Sequence, residues 1–304
     1  MIFIRNVFTL LSLSVYQQAY LKIALFFTLL LLTTTSQAET SIWTISKGGN
    51  THYIGGTFHL LKETDYPLPK EFNQVYKQVN QLVFETDVTQ LDKPQFQQQF
   101  LRAMRLPPGK ILADKLSPKA YAALIRYAAK NNIDTGRLQQ LRPQMVSLII
   151  SVEELKTLGL NASGVDSHMA NKAIQDSKTL HFLETLEQQI NYIATISEGN
   201  ESALILQTLE DLEKLPEELD KMINAWRTGD QQALFEYGIQ PMKQDYPEVY
   251  QSLLVERNNE WLPKIEEFIN QKNSTFILVG ALHLIGEDGV LQTLKRKGYR
   301  IDKF

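Results

Sequence analysis

Gly55-Gly56-Thr57-Phe58-His59 follows a short β-rich run (Thr51–Ile54) and precedes a helical pattern. Near the other end of the chain, Thr275-Phe-Ile-Leu-Val-Gly280-Ala-Leu-His283 repeats the arrangement, because a strand pattern again ends in Gly-x-x-His. Glycine lets the backbone turn sharply after a strand, so each loop can present an imidazole over the sheet edge. Open parallel sheets bind ligands at this edge. We therefore predict that the fold brings His59 and His283 into one site.

The first Gly-x-x-His motif lies in a pattern of strand, helix and strand. Two β-rich runs, Ser41–Ser46 and Thr51–Gly55, flank a Gly-Gly-Asn turn and predict a hairpin. Helical spacing of apolar residues predicts a helix over Pro69–Asn80, and Gln81–Thr86 is typical of a buried strand that ends at Glu85. We expect this strand to pair with the one before the motif, so that Glu85 points into the same crevice.

The second motif lies in a similar pattern at the end of the chain. A strand over Ser274–Gly280 is followed by a helix over Asp288–Lys297 and a strand over Tyr299–Ile301. The sequence thus predicts an α/β fold with a central, mainly parallel sheet built from two βαβ units, each carrying one Gly-x-x-His motif.

The sequence between the two units, about residues 92–273, predicts a large helical insert that also contains one more strand, Thr179–Leu183. The predicted helices of this insert are Pro94–Met104, Ser117–Asn131, Arg142–Lys156, Val165–Gln175, Glu184–Ile196, Ser202–Leu212, Glu217–Arg227, Asp230–Phe235 and Tyr246–Ile269.

Composition excludes several classes of function. The formal net charge of the 304 residues is −3 and no polybasic stretch is present, so we expect no nucleic-acid partner. There is no cysteine, which excludes disulfides, thiolate metal ligands and a cysteine nucleophile. Neither a Gly-x-Ser-x-Gly elbow nor HExxH nor a phosphate-binding glycine loop occurs, which argues against serine hydrolases, zincins and P-loop enzymes.

The N-terminus predicts export. Ile23–Leu32 is a largely apolar run, preceded by Lys22 and followed by Ser36-Gln37-Ala38. This is the pattern of a signal peptide over residues 1–38, and the run is shorter than the roughly 20 residues of a spanning helix. The alternative is that this segment is not cleaved and anchors the protein in the membrane. We expect no other part of the chain to contact a membrane. In either case residues 39–304 form the folded domain.

Three residues carry the predicted chemistry. The imidazoles of His59 and His283 could provide half of a metal site, or either could act as a general base. Glu85 could complete the ligand set or activate water instead.

Other polar positions remain open between structural and functional interpretations. In Gly164-Val-Asp166-Ser-His168, the spacing favours Asp166 as a helix cap. The functional alternatives are that Asp166 fixes the tautomer of a histidine and that His168 provides a third imidazole. Glu184 and Glu187 share a helix face, which favours a solvated surface. A solvated surface is likewise favoured for Glu256-Arg257-Asn258, where the functional alternative is that Arg257 binds a carboxylate or stabilises an oxyanion.

Over roughly residues 41–304 the chain resembles the TraB/GumN family, which includes the Tiki proteases, and it looks like a secreted bacterial member. The motifs that carry the resemblance are GGTFH (55–59), LVFETD (82–87), GVDSHMANKA (164–173), LETLEQQ (183–189), ERN (256–258) and VGALH (279–283).

The resemblance implies an α/β fold of the erythromycin esterase/ChaN-like type, with the two Gly-x-x-His motifs and a glutamate at its centre. The signal-peptide pattern, for its part, predicts a periplasmic location. Tiki members are divalent-metal-dependent proteases, which maps a metal onto His59, Glu85 and His283. The resemblance also implies that Asp166 and His168 lie at the periphery of the site. Arg257 and Asn258 match the third polar motif of the family, which is ERN (256–258) in this sequence. Among more distant relatives, erythromycin esterase opens a lactone and ChaN-like proteins bind haem iron, so the fold does not fix one reaction.

Three hypotheses follow. The first is a periplasmic metal-dependent hydrolase, most plainly a peptidase, using Mn, Co, Zn or Fe held by His59 and His283, with Glu85 as ligand or base and His168 as a further ligand. The second is a protein that binds metal, haem or a peptide signal without turnover. The third is metal-free hydrolysis by histidine and glutamate. All three expect a peptide or small-molecule partner in the same crevice.

Overall fold

The computed structural model describes residues 40–47 and 49–304, so the predicted signal peptide or anchor lies outside the described residues. The strands are β1 Ile42–Lys47, β2 Asn50–Thr57, β3 Leu60–Leu61, β4 Gln81–Phe84, β5 Ala162–Ser163, β6 Thr179–Phe182, β7 Thr275–Gly280 and β8 Arg300–Lys303. The α-helices are α1 Lys70–Tyr76, α2 Pro94–Ala103, α3 Pro118–Lys130, α4 Thr135–Leu138, α5 Pro143–Thr157, α6 Val165–Gln175, α7 Leu186–Thr195, α8 Glu201–Thr228, α9 Gln231–Leu234, α10 Gln240–Asp245, α11 Pro247–Tyr250, α12 Arg257–Ile269, α13 Ala281–Leu284 and α14 Val290–Arg296.

The central sheet has six strands in the order β6-β4-β7-β2-β1-β8. The four strands from β6 to β2 run parallel, whereas β1 pairs antiparallel with both β2 and β8. This mainly parallel sheet with its surrounding helices confirms the predicted α/β class. The predicted hairpin is also confirmed, because Ile42 lies opposite Gly55 and Lys47 opposite Asn50 in β1 and β2.

The predicted neighbour of the first motif's strand is wrong. β7, the strand of the second motif, lies between β2 and β4, so Glu85 follows a strand that pairs with β7 and not with β2. The last strand, β8, likewise pairs with β1 at the edge and not with β7. Parallel crossover connections are long enough to pass over a neighbouring strand, which sequence periodicity does not reveal. The two histidine motifs therefore follow adjacent strands.

The helices between the two ends of the chain largely follow the apolar periodicity of the sequence. Val165–Gln175 begins and ends as predicted, and Ser117 accepts a hydrogen bond from the Ala120 amide as the cap of α3. The prediction of two helices on either side of Pro216 is wrong, because α8 continues through that proline. The predicted strand at Thr179 is confirmed and forms the edge of the central sheet beside β4.

Two stretches of π-helix interrupt the helices that precede the second motif. The first is Phe235–Ile239, between α9 and α10, and the second is Gln251–Glu256, directly before Arg257. Short π-helical segments occur frequently at functional sites.

The main hydrophobic core lies on both faces of the central strands and includes Ile54, Leu82, Phe276 and Trp226, all fully buried. None of the helices in the described part of the chain combines the length and the apolar character that a membrane crossing requires.

Candidate functional site

The two Gly-x-x-His motifs meet side by side at the carboxyl ends of β2 and β7. In the register of these strands Thr57 lies opposite Gly280. A Cβ atom on Gly56 would lie 3.0 Å from the backbone and side chain of Ala281, so glycine allows the two turns to touch. The Trp226 indole holds the first turn by donating to the Gly56 carbonyl at 2.7 Å.

His59 forms a pair with Asp166, which lies in the first turn of α6. The His59 Nδ1 atom is 3.0 Å from Asp166 Oδ2, and the Thr57 hydroxyl donates to Asp166 Oδ1 at 2.7 Å. The Asp166 side chain is 5% exposed and that of His59 is 67% exposed. The imidazole is thus oriented from behind by a buried carboxylate and remains open to solvent on its other side.

Gly164 makes this pair possible. It precedes α6 as its N-cap, and a Cβ atom there would fall 2.2 Å from the Phe58 carbonyl oxygen. The Val165 amide donates to the same carbonyl at 2.9 Å. The N-terminus of α6 therefore lies directly against the backbone of the first motif. Asp166 is not the helix cap that its spacing favoured, because its side chain binds His59 and Thr57.

The Asp166 carboxylate, at hydrogen-bond distance, raises the pKa of His59 to about 9. A protonated imidazole therefore predominates at neutral pH in the free protein. Nε2, the ring nitrogen that does not contact Asp166, can give up or take a proton on this largely exposed side chain.

His283 has a different environment, because its side chain is 7% exposed and both ring nitrogens are engaged. The Asn258 amide nitrogen donates to the backbone carbonyls of His283 and Asp288, which fixes the orientation of the Asn258 amide. Its Oδ1 atom lies 2.8 Å from His283 Nδ1 and can only accept, so Nδ1 carries the hydrogen. Nε2 is then the acceptor nitrogen, and it receives a hydrogen bond from Arg257 Nη1 at 3.2 Å. Burial lowers the pKa of His283 to about 3, so this ring is neutral.

Arg257 lies at the centre of a buried ion cluster. Its Nη2 atom donates to Glu85 Oε2 at 2.7 Å and to Glu184 Oε1 at 2.8 Å, while Nε donates to Glu184 Oε2 at 3.2 Å. The side chains of Arg257, Glu85 and Glu184 are 11%, 5% and 1% exposed. The Trp261 indole supports the cluster by donating to Glu184 Oε2 and by lying under the guanidinium, 4.6 Å from its centre.

The two carboxylates of this cluster differ. Burial alone would raise the pKa of Glu85, but His283, Arg257 and His59, with a hydrogen bond from the Gly280 amide, lower it to about 2. Burial raises the pKa of Glu184 in spite of Arg257. Glu85 is therefore ionised at neutral pH and is a weak proton acceptor, because both of its oxygens already accept hydrogen bonds.

A guanidinium has five N–H donors, and those of Arg257 are all directed at acceptors. The longest of these contacts runs from Nη1 to the Leu253 carbonyl, at 3.5 Å. Leu253 belongs to the second π-helical stretch. Because this contact is the longest, the carbonyl oxygen of a substrate could replace the Leu253 carbonyl on Nη1 with the smallest loss of hydrogen-bond energy.

His59, Arg257 and His283 border one cleft of about 270 Å³. The remaining lining residues are mainly apolar and are Thr57, Phe58, Met222, Met242, Leu253, Leu254, Gly280, Ala281 and Leu282.

The side chains predicted to bind a metal do not fit a divalent ion as they are arranged. The Nε2 atom of His283 and one oxygen of Glu85 both accept hydrogen bonds from Arg257, so a fixed positive charge lies where the ion would have to bind. Among residues 40–47 and 49–304, no group of three or more His, Cys, Asp or Glu side chains could hold a metal ion.

His168, the further predicted ligand, is not brought into the cleft. Its ring lies against Tyr66, with 5.2 Å between ring centroids, and burial lowers its pKa.

Glu184 is the residue that the sequence interpretation missed. The predicted solvated helix face is wrong for this residue, because α7 begins at Leu186 and Glu184 lies in the turn after β6. Its amide donates to the Glu85 carbonyl at 2.8 Å, which places the two acids side by side. An acid just after a strand was a usable signal, since the same position identified Glu85 as a candidate.

Comparison with known proteins gives one family and distant relatives. The model of the TraB/PrgY/gumN family matches residues 41–303. Uncharacterized protein YbaP of Escherichia coli K12 is 24% identical over 253 residues, which cover 83% of this chain and 90% of YbaP, and the Shigella flexneri protein of that name is equally similar. Metalloprotease TIKI1 of Xenopus tropicalis is 22% identical, with 88% of this chain and 62% of TIKI1 covered. No solved structure matches the chain.

Proposed function

Because the chain belongs to the TraB/PrgY/gumN family, we propose that it is a hydrolase in which His59, oriented by Asp166, transfers a proton in the cleft bordered by Arg257 and His283. The family match confirms the resemblance that the sequence motifs indicated. The observation that carries the proposal is the pairing of an exposed imidazole with a buried carboxylate at 3.0 Å. The likeness to a protein named a metalloprotease supports an acyl bond, and a peptide bond in particular, as the one that is cleaved.

In this proposal the neutral form of His59 removes a proton from water through Nε2, while Nδ1–H stays bound to Asp166. Water then attacks the carbonyl carbon, and the imidazolium returns the proton to the leaving group as the tetrahedral species collapses. A positioned general base of this kind contributes roughly 10²–10⁴-fold to the rate. Asp166 fixes the tautomer and stabilises the imidazolium.

Arg257 provides the positive charge for the developing oxyanion. The substrate oxygen would replace the Leu253 carbonyl on Nη1, the longest of the guanidinium contacts. Removal of one such donor costs roughly 10²–10³-fold in rate in enzymes of known mechanism. Glu85, Glu184 and His283 act as positioning residues, since each holds a different N–H of the guanidinium.

Metal-dependent hydrolysis is a second candidate, favoured by the name of one relative and by one contact. Asn258 Oδ1 fixes His283 Nδ1–H, which is how carbonyl groups commonly orient a metal-binding histidine. Mn, Co, Zn or Fe would first have to displace Arg257 from His283 and Glu85.

We also propose that the protein is exported, with residues 39–304 in the periplasm. The support is the N-terminal pattern of Lys22, Ile23–Leu32 and Ser36-Gln37-Ala38. N-terminal sequencing of the protein from fractionated cells tests this proposal. A start near Glu39 in the periplasmic fraction supports it, whereas an intact N-terminus in the membrane fraction supports an anchor.

The experiment that tests the function is hydrolysis of peptide and ester panels by the purified protein and two variants. His59→Gln removes the proposed base, and His181→Gln is the matched control, because His181 lies in β6 against Phe268. We expect turnover by the wild type and the control, and a loss of at least about 100-fold in His59→Gln. Equal rates in all three would contradict the proposal, and a tightly held ligand without turnover would indicate a binding protein.

A further inference from the structure

The cleft beside His59 has walls formed mainly by apolar side chains. Met222 of α8, Met242 of α10, Leu253 of the second π-helical stretch and Leu282 of α13 are half-buried and turn part of their surface to the cleft. They come from four separate elements that converge in front of His59. The polar side chains of the cleft, in contrast, lie together at one end.

The charges at that polar end do not favour an anion. Arg257 is a permanent cation, but Glu85 and Glu184 already bind it on two sides. Asp166 adds a third carboxylate, and His59 carries a compensating charge only when it is protonated. Even with His59 protonated, two cations are matched by three carboxylates, so the group has no net positive charge that would attract an acidic substrate.

A cationic substrate group is also disfavoured, for a different reason. To reach the polar end it would have to lie between methionine and leucine side chains, which replace none of the hydrogen bonds that an ammonium group makes with water. An apolar group loses no such bonds and gains free energy as it leaves water, at about 25 cal/mol per Å² buried.

We propose that the cleft accepts an uncharged acyl group whose apolar side chain lies against Met222, Met242, Leu253 and Leu282, next to the bond presented to His59. In a peptide this is a leucine-, methionine- or phenylalanine-like residue. The cleft volume of about 270 Å³ lies just below the roughly 300–1,000 Å³ of pockets that bind drug-sized ligands, which limits the buried part to about one residue. Methionine side chains adapt to differently shaped apolar groups, so we expect tolerance among these residues.

This inference deepens the proposed function and rests on it for the identity of the bond, but it can be tested through binding alone. The probes are the amides of N-acetyl-leucine, N-acetyl-aspartate (side chain ionised) and N-acetyl-lysine. Binding is measured by NMR from the shifts of the methionine methyl groups in the full protein.

Two variants complete the experiment. Met222→Glu places a charge in the wall of the cleft, and Leu101→Glu is the control, because Leu101 is a 43% exposed residue on α2 that does not line the cleft. We expect the leucine probe to bind at least 10-fold more tightly than either charged probe, and this preference to be lost in Met222→Glu but kept in Leu101→Glu.

Equal binding of the charged probes would overturn the inference, as would the absence of any leucine-dependent shift at the solubility limit of the probe. The outcome is separable from that of the proposed function. Selective binding of the leucine probe without turnover of any peptide or ester would support this inference and contradict the proposed hydrolase function. Turnover that favours substrates with acidic or basic residues would support the hydrolase function and contradict the inference of an apolar substrate group.

Discussion

The Nδ1 atom of His59 lies 3.0 Å from the buried Asp166 carboxylate, although the two residues are more than 100 positions apart in the sequence. The opposite side of the same imidazole faces solvent and the cleft. In its neutral form, a histidine held in this way has one fixed tautomer and one ring nitrogen without a proton, which is the arrangement that a general base requires.

Gly164→Ala should break this pair. The added Cβ would fall 2.2 Å from the Phe58 carbonyl, so the N-terminus of α6 must move and carry Asp166 away from His59. We expect a loss of about 1–3 kcal/mol in the free energy of unfolding, measured in urea, and a lower pKa of His59. Gly136→Ala is the control, because a Cβ there meets only the Asp134 side chain. Unchanged stability and an unchanged His59 pKa would contradict this role of Gly164.

Arg257→Met should be strongly destabilising, because it leaves Glu85 and Glu184 buried without their cation. Breaking one side of a buried ion pair costs about 3–5 kcal/mol, which urea unfolding measures. Arg300→Met is the control: its pair with Asp302 is exposed and should contribute about 0–1 kcal/mol. Equal losses of unfolding free energy in the two variants would show that Arg257 does not compensate the buried charges of Glu85 and Glu184.

Acid should destabilise the protein partly through His283. Its folded pKa of about 3 is depressed below the usual 6.5, so the unfolded state binds one more proton over the interval between these values. Stability from this residue is therefore present above pH 6.5 and is lost as the pH falls, by on the order of 2 kcal/mol at pH 4.5.

Urea unfolding at pH 7 and 4.5 measures this loss in the wild type and in His283→Leu, whose side chain does not titrate. The variant should be less stable at both pH values, because it lacks the contacts to Arg257 and Asn258, but its stability should change less between them. An equally steep change in the variant would show that other groups, such as His52 and His168 with their lowered pKa values, account for the acid sensitivity.

Removal of metal separates the two candidate reactions. We expect hydrolysis to survive exhaustive chelation, because Arg257 supplies the positive charge in the cleft and occupies His283 and Glu85. The measurement compares initial rates before chelation, after it, and after Mn²⁺, Co²⁺ or Zn²⁺ is added back. Activity that disappears with the chelator and returns with an ion would support the metal-dependent candidate.

The sequence was sufficient to predict the α/β class and to place three residues of the candidate site near one sheet edge. His59, Glu85 and His283 each follow a strand, and a strand end is a local signal that glycine and apolar runs reveal. The order of strands is not local, which is why β7 was not expected between β2 and β4.

The partners of these residues were harder to foresee. The Asp166 side chain reaches His59 only because Gly164 lets α6 approach Phe58, a contact between distant segments. Glu184 was assigned to a helix face, whereas a two-residue difference in the helix start places it in the ion cluster. Helix boundaries are commonly uncertain by this much, and here the difference decides the role of a residue.

The pKa of the His59 imidazole, measured by NMR titration in the wild type and in Asp166→Asn, tests the central claim most directly. It requires no knowledge of the substrate. We expect the wild-type value to lie above 6.5, towards 9, and to fall to 6.5 or below when the carboxylate is replaced by an amide. A wild-type His59 that titrates at or below 6.5, or one that does not respond to Asp166→Asn, would contradict the account.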